Sequence, residues 1–244
     1  MARLALPLGT AAAVAALAPV LATGANVLKI TPAPSLAGVA ALPVKGRSPT
    51  AFDKRVRFGD WQVQTVSKFD QRGRAVGVSV ESDRKRKAIS LRGNVAEFEL
   101  AVTRAGGTPT QVSCETRIAA GDHEKSAGRR SDETSLTLPG YPRIDCTFGG
   151  ALTGVLATQA AAVTLFETGH ADLAGTQWQI RSVGKVVRLG YELLLGGSVV
   201  ATVETASMGR VWLQPTLEVA RQQEAAVLAG ALLYSTAALE LQDP

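Results

Sequence analysis

The chain has 244 residues, 46% of them hydrophobic and 19% charged, with a formal net charge of +5. That length suits one sizeable domain or two small ones, and the balance of apolar to charged residues excludes an intrinsically disordered chain. The mild positive charge permits contact with acidic surfaces without requiring it, and the basic residues lack the interleaved aromatics of a single-strand binder, so no nucleic-acid partner is expected.

The first element reads as an export signal. Arg3 supplies a positive start and Leu4 to Ala18 an apolar core, with Val20 and Ala22 spaced for cleavage after Ala22, and Thr23 and Ala25 as a second choice. The apolar run is short for a bilayer crossing and is interrupted by Pro7 and Pro19. Residues 1–22 are therefore expected to be a signal peptide, not a stable transmembrane anchor, and the mature chain is expected in the periplasm or outside the cell. Losing Arg3 leaves 25 basic residues against 21 acidic ones. Residues 23–55, with Pro32, Pro34, Pro43 and Pro49, are predicted to be an extended linker or arm. Its apolar residues, among them Ile30, Leu36 and Leu42, suggest that part of it lies against the domain.

From Arg57 onward the pattern alternates with period two, the signature of half-buried strands. Trp61 and Val63 share one face; so do Val76, Val78 and Val80; so do Phe98, Leu100 and Val102. "QVSCETRI" puts Val112, Cys114 and Thr116 together, and "RIDCTF" does the same for Ile144, Cys146 and Phe148. An even cysteine count in an exported chain predicts a disulfide between Cys114 and Cys146. It would be worth roughly 3–4 kcal/mol for a loop of about 30 residues; the alternative is two buried thiols. Further strands are predicted in "AVTLFET", "TQWQIRSV", "KVVRLGYELLL" and "SVVATVE", separated by glycine-rich turns. The charged stretch from Gly121 to Glu133 is predicted to be a long solvated loop. The fold class is thus mainly β: a single antiparallel barrel of about ten to twelve strands over residues 56–244.

The last element is a helix from about residue 217. It is apolar on nearly every side from Ala225 to Leu239, which calls for burial all round. About 15 residues between two acidic flanks, Glu224 and Glu240, are too few for a perpendicular bilayer crossing. The strands are expected to curl around or against this helix.

The run "WQIRSV", "YELLLGGSVVATVE", a short strand and then the apolar helix, over Trp178 to Leu239, resembles the end of a tubby-like domain, the superfamily of phospholipid scramblases and LURP-one-related proteins. The resemblance is one of element order and implies a barrel threaded by its C-terminal helix. Some members bind phosphoinositides, membranes or DNA, and many have no assigned activity. A second resemblance, to lipocalins, rests on Gly59 and Trp61 in "FGDW" and implies a hollow carrier with its helix outside.

Catalytic signatures are absent: the sequence has no Gly-x-Ser-x-Gly elbow, phosphate loop, dinucleotide fingerprint or zinc-spaced cysteine set. His170 with Glu167 and Asp172, and His123 with Asp122 and Glu124, invite a metal or acid–base reading that polar turns equally explain. No catalytic residue, metal ligand or cofactor is assigned. The one concentrated charge is Arg84, Lys85, Arg86 and Lys87 between two strands, suited to anionic headgroups or to guarding a sheet edge. Arg129 and Arg130 form a weaker patch. The expectation is an exported, non-enzymatic barrel that binds a lipid headgroup or an envelope protein by its surface. A carrier of a small hydrophobic ligand and a carboxylate-based hydrolase are the alternatives.

Overall fold

A computed structural model describes residues 29–48, 51–67, 70–82, 85–126, 136–160, 167–184, 188–206 and 208–242. The predicted signal peptide, residues 1–22, lies outside them. The strands are β1 (Leu42–Pro43), β2 (Lys45–Ser48), β3 (Ala51–Phe58), β4 (Trp61–Thr65), β5 (Asp70–Ser82), β6 (Lys85–Arg104) and β7 (Thr110–Ser126). They continue with β8 (Leu136–Gly150), β9 (Gly154–Ala160), β10 (Glu167–Leu173), β11 (Thr176–Val183), β12 (Gly190–Leu195), β13 (Ser198–Glu204) and β14 (Arg210–Leu213). One helix follows, α1 (Val219–Gln242).

All strands join one antiparallel sheet that curls into a nearly closed barrel. Its path starts at β1 on β14 and ends at β2 on β3, and only Val44 separates β1 from β2. Leu42 pairs with Val211 and Pro43 with Arg210, then Lys45 pairs with Arg57 and Ser48 with Ala51. One continuous segment therefore bridges the last strand to the first. β4 and β5 both pair with β6, β4 along Leu100–Arg104 and β5 along Lys85–Glu97. Counting each such pair as one position gives twelve positions around the circuit. The barrel thus begins inside the stretch read as a linker. Pro43 and Gly46 hide a strand whose two short halves each pair with a different neighbour.

The alternation read from the sequence sets the inside. Val56, Phe58, Val63, Phe98, Leu100, Val102, Val112, Ile144 and Trp178 belong to one buried core. Two-residue glycine turns keep the strands tight: Gly196 and Gly197 both have positive φ, as the turn between β12 and β13 requires. Gly190 is fixed by close approach, since an added Cβ would lie 1.9 Å from the Val203 carbonyl oxygen.

Residues 29–41 wrap the outside of β12 to β14. Leu36 is fully buried there in a second cluster with Leu194, Val199 and Trp212, and Ser35 donates to the Val199 carbonyl at 2.7 Å. The Ile30 N–H donates to Glu204, whose carboxylate also accepts from Nε and one terminal nitrogen of Arg210 at 2.6 and 2.9 Å. Those hydrogen bonds hold the Arg210 guanidinium pKa above its usual value.

The predicted loop from Gly121 to Glu133 is corrected in part. β7 runs on to Ser126, paired with β6 throughout, while 127–135 lie outside the described residues. Charge concealed a strand whose partners, not its own composition, hold it extended. Beyond β4 and β9 the strands β5 to β8 continue as a projecting arm. From the row Val95–Arg117–Arg143 to Lys85, about ten residues of β6 carry it roughly 33 Å at ~3.3 Å per residue. β5 makes its substantial contacts with β6 alone.

Candidate functional site

The barrel interior, where a carrier would keep its ligand, is taken up by α1. Every residue from Glu224 to Leu239 is buried. The helix touches β6, β7, β8, β13 and β14 and reaches β11 through Trp178. At Gly230 an added Cβ would meet Val63 of β4 at 3.0 Å and Val102 of β6 at 3.2 Å. A helix apolar on all sides needs a wall on all sides, and the twelve-position circuit supplies it. Among the described residues no helix is long and apolar enough to cross a membrane.

Glu224, in the second turn of α1, carries a charge into this core: it accepts from the Trp178 indole at 3.0 Å and from Thr176 at 3.3 Å, and pairs with Arg221. Arg221 also donates to Thr176. A buried carboxylate is tolerable only when hydrogen-bonded and paired, and this set pins the start of the helix to β11. Deeper in, Ser235 lies 3.9 Å from the Cys146 sulfur. Cys114 and Cys146 stand directly opposite each other on β7 and β8, with their sulfurs at disulfide distance, 2.06 Å.

The constellation around His170 does not assemble. On β10, Glu167 is buried, with the side chains of Thr158, Tyr191 and Arg188 around its carboxylate, while His170 is exposed. Asp172 accepts from Gln177 instead. His123 sits on β7 between Ile89 and Leu136 in register, not in a loop. Among the described residues no group of three or more His, Cys, Asp or Glu could hold a metal.

On the outer wall, Glu97, Glu115 and Asp145 stand side by side across β6, β7 and β8. They line a shallow groove of about 600 Å³ with Glu99, Thr147 and Val155. Like charges directly opposite repel, and the next row answers two of them: Arg117 pairs with Glu115 and Arg143 with Asp145. The hydrogen bonds to these carboxylates raise both arginine pKa values.

The basic cluster falls at the far end of the projecting arm. Arg84 lies outside the described residues, whereas Lys85, Arg86 and Lys87 open β6. Lys87 is paired with Val80 on one side and Lys125 on the other, so the cluster includes a residue that sequence reading left in a loop. Nothing in the composition of "AAGDHEKS" marks it as a strand. In the arm's register Val76 pairs with Leu91 and Val78 with Ile89, and Lys85 to Lys87 pair with Ser82 to Val80.

No family model, no curated protein and no solved structure matches the chain.

Proposed function

We propose that this is an exported, non-enzymatic barrel protein that binds an anionic component of the cell envelope, lipid headgroups in the first place, through its outside. The observation that carries this reading is the interior filled by α1, from Ala225 to Leu239. A barrel filled by its own helix has to work through its surface, and a carrier would need that volume free. The paired cysteines support an oxidising compartment. The run of basic residues that opens β6, Lys85 to Lys87, supports an anionic partner. A distant tubby-like kinship is part of the proposal, supported by the twelve-position circuit closed around a C-terminal helix. The hydrolase alternative has less behind it, since Arg117 and Arg143 already hold Glu115 and Asp145 in the row of acids on the outer wall.

Co-sedimentation with vesicles tests the reading. The protein is expected to bind phosphatidylcholine vesicles doped with phosphatidylglycerol and to ignore pure phosphatidylcholine, with binding that weakens as salt rises. At ~1 kcal/mol per basic residue near an anionic surface, the triple variant Lys85→Ala, Arg86→Ala, Lys87→Ala is expected to bind roughly a hundredfold more weakly. Equal binding to both vesicle types, or none to either by folded protein, would overturn it.

A further inference from the structure

We infer that the end of the barrel where α1 begins carries a second binding site, for a neutral oligosaccharide, centred on Asp60 and Arg104. It goes beyond the binding proposed for the arm and does not depend on it. The length of β6 separates the two places, since Lys85 opens that strand and Arg104 closes it.

Three short turns meet the start of α1 at this end: 59–60 between β3 and β4, 105–109 between β6 and β7, and 151–153 between β8 and β9. Two open grooves lie among them. One, of about 650 Å³, is lined by Asp60, Arg104, Gly107, Thr108, Ala151 and Gln223 of α1. The other, of about 430 Å³, is lined by Arg57, Asp60, Trp61, Gln62, Thr103 and Arg104. They share Asp60, Arg104, Ala105 and Gly106, so they adjoin at one turn. Each has a volume common for small-molecule sites, about 300–1,000 Å³, and the pair offers room for a chain of more than one ring. Gly106, with φ at 75°, takes the left-handed turn and leaves bare backbone between the grooves.

The polar side chains here are uncommitted. Asp60, Arg57 and Arg104 are exposed. Among the described residues no hydrogen bond or ion pair engages the side chains of Asp60, Arg57, Gln62 or Gln223. Elsewhere on the barrel Glu115, Asp145, Glu192 and Glu204 each hold an arginine. Arg104 stands opposite Trp61 in the β4–β6 register, its guanidinium 5.8 Å from the ring centroid, a stack that positions it where the grooves adjoin. This set selects its ligand by charge and by hydrogen bonding. Asp60 only accepts, the two arginines only donate, and Gln62 and Gln223 do both. A hydroxyl donates and accepts at once, so a run of neighbouring hydroxyls satisfies acceptor-only and donor-only groups together. An anion would meet Asp60, and a cation would meet Arg57 and Arg104. An apolar ligand would find no large exposed apolar side chain in either groove. A neutral, hydroxyl-rich chain is the class that remains.

Isothermal titration of the mature-length chain with maltotetraose, cellotetraose and chitotetraose tests the inference. At least one of these neutral sugars is expected to bind, with an affinity that hardly changes as salt rises, because the ligand carries no charge to be screened. Asp60→Ala and Arg104→Ala each remove hydrogen bonds made by a charged group, so each is expected to weaken binding about tenfold or more. Both residues are exposed, so the melting curves are expected to stay unchanged. The triple variant at Lys85, Arg86 and Lys87 is expected to bind the sugar as the wild type does, which keeps this test separate from the one with vesicles. Binding of none of the three sugars, binding that both single variants leave intact, or a preference for dextran sulfate over the neutral sugars would overturn the inference.

Discussion

A chain ended at Gln223 is expected to have no cooperative folded state at all. The residues removed include Val227, Leu228, Leu232, Leu233 and Leu239, all within 2% of full burial. At ~1.5–3 kcal/mol for each large apolar side chain, their loss is on the order of 10 kcal/mol, comparable with the whole stability of an ordinary domain. The damage does not stop there. The inward faces of β4, β6, β7 and β11, with Val63, Leu100, Val112 and Trp178, would be left around a void too large to stay dry, and the strands would collapse or aggregate. Near-UV circular dichroism and a denaturant titration measure this directly. A tail that merely anchored a finished domain would leave a soluble, cooperatively melting product on removal, so that result would sink the account of α1 as the core.

The second large effect is expected at Trp178, which is 1% exposed and carries the indole that donates to Glu224 at 3.0 Å. Trp178→Ala combines two losses. Emptying the indole site costs about 3–5 kcal/mol, and a buried carboxylate short of a donor adds about 1–3 kcal/mol. Trp178→Phe separates them, since it retains most of the packing and removes only the donor, so about 1–3 kcal/mol is expected from it. Urea midpoints for both variants give the comparison. If Trp178→Phe proved as costly as Trp178→Ala, packing would be excluded as the larger of the two terms. A double-mutant cycle with Glu224→Gln reads the coupling across the Trp178–Glu224 bond itself.

How much of this was legible follows from where each residue's fate is decided. Alternation at Trp61 and Val63, at Phe98, Leu100 and Val102, and at the two cysteines is a local property, and those residues face inward as read. The closing helix was legible because a segment apolar on every side has few alternatives to enclosure. The segment Leu42–Ser48 was not. Proline and glycine make it look like a linker, and it is a strand only because β14 and β3 offer it edges to bridge. The charged half of β7 is extended for the same reason, by pairing with β6. Lys125 became a neighbour of Lys87 only once that register was known. Glu224 shows the converse: its acidity marked the start of the apolar run in the sequence, but Thr176 and Trp178, more than forty residues earlier, make its burial tolerable.

The claim on which the functional reading rests is that α1 lies inside the barrel. Amide hydrogen exchange followed residue by residue tests it most directly. A helix enclosed on all sides can exchange only through global opening, so the amides from Ala225 to Leu239 are expected to be among the slowest in the protein, matching those of β11 and β13. Exchange of those amides well ahead of the barrel strands, as for a helix lying on the surface, would contradict the account.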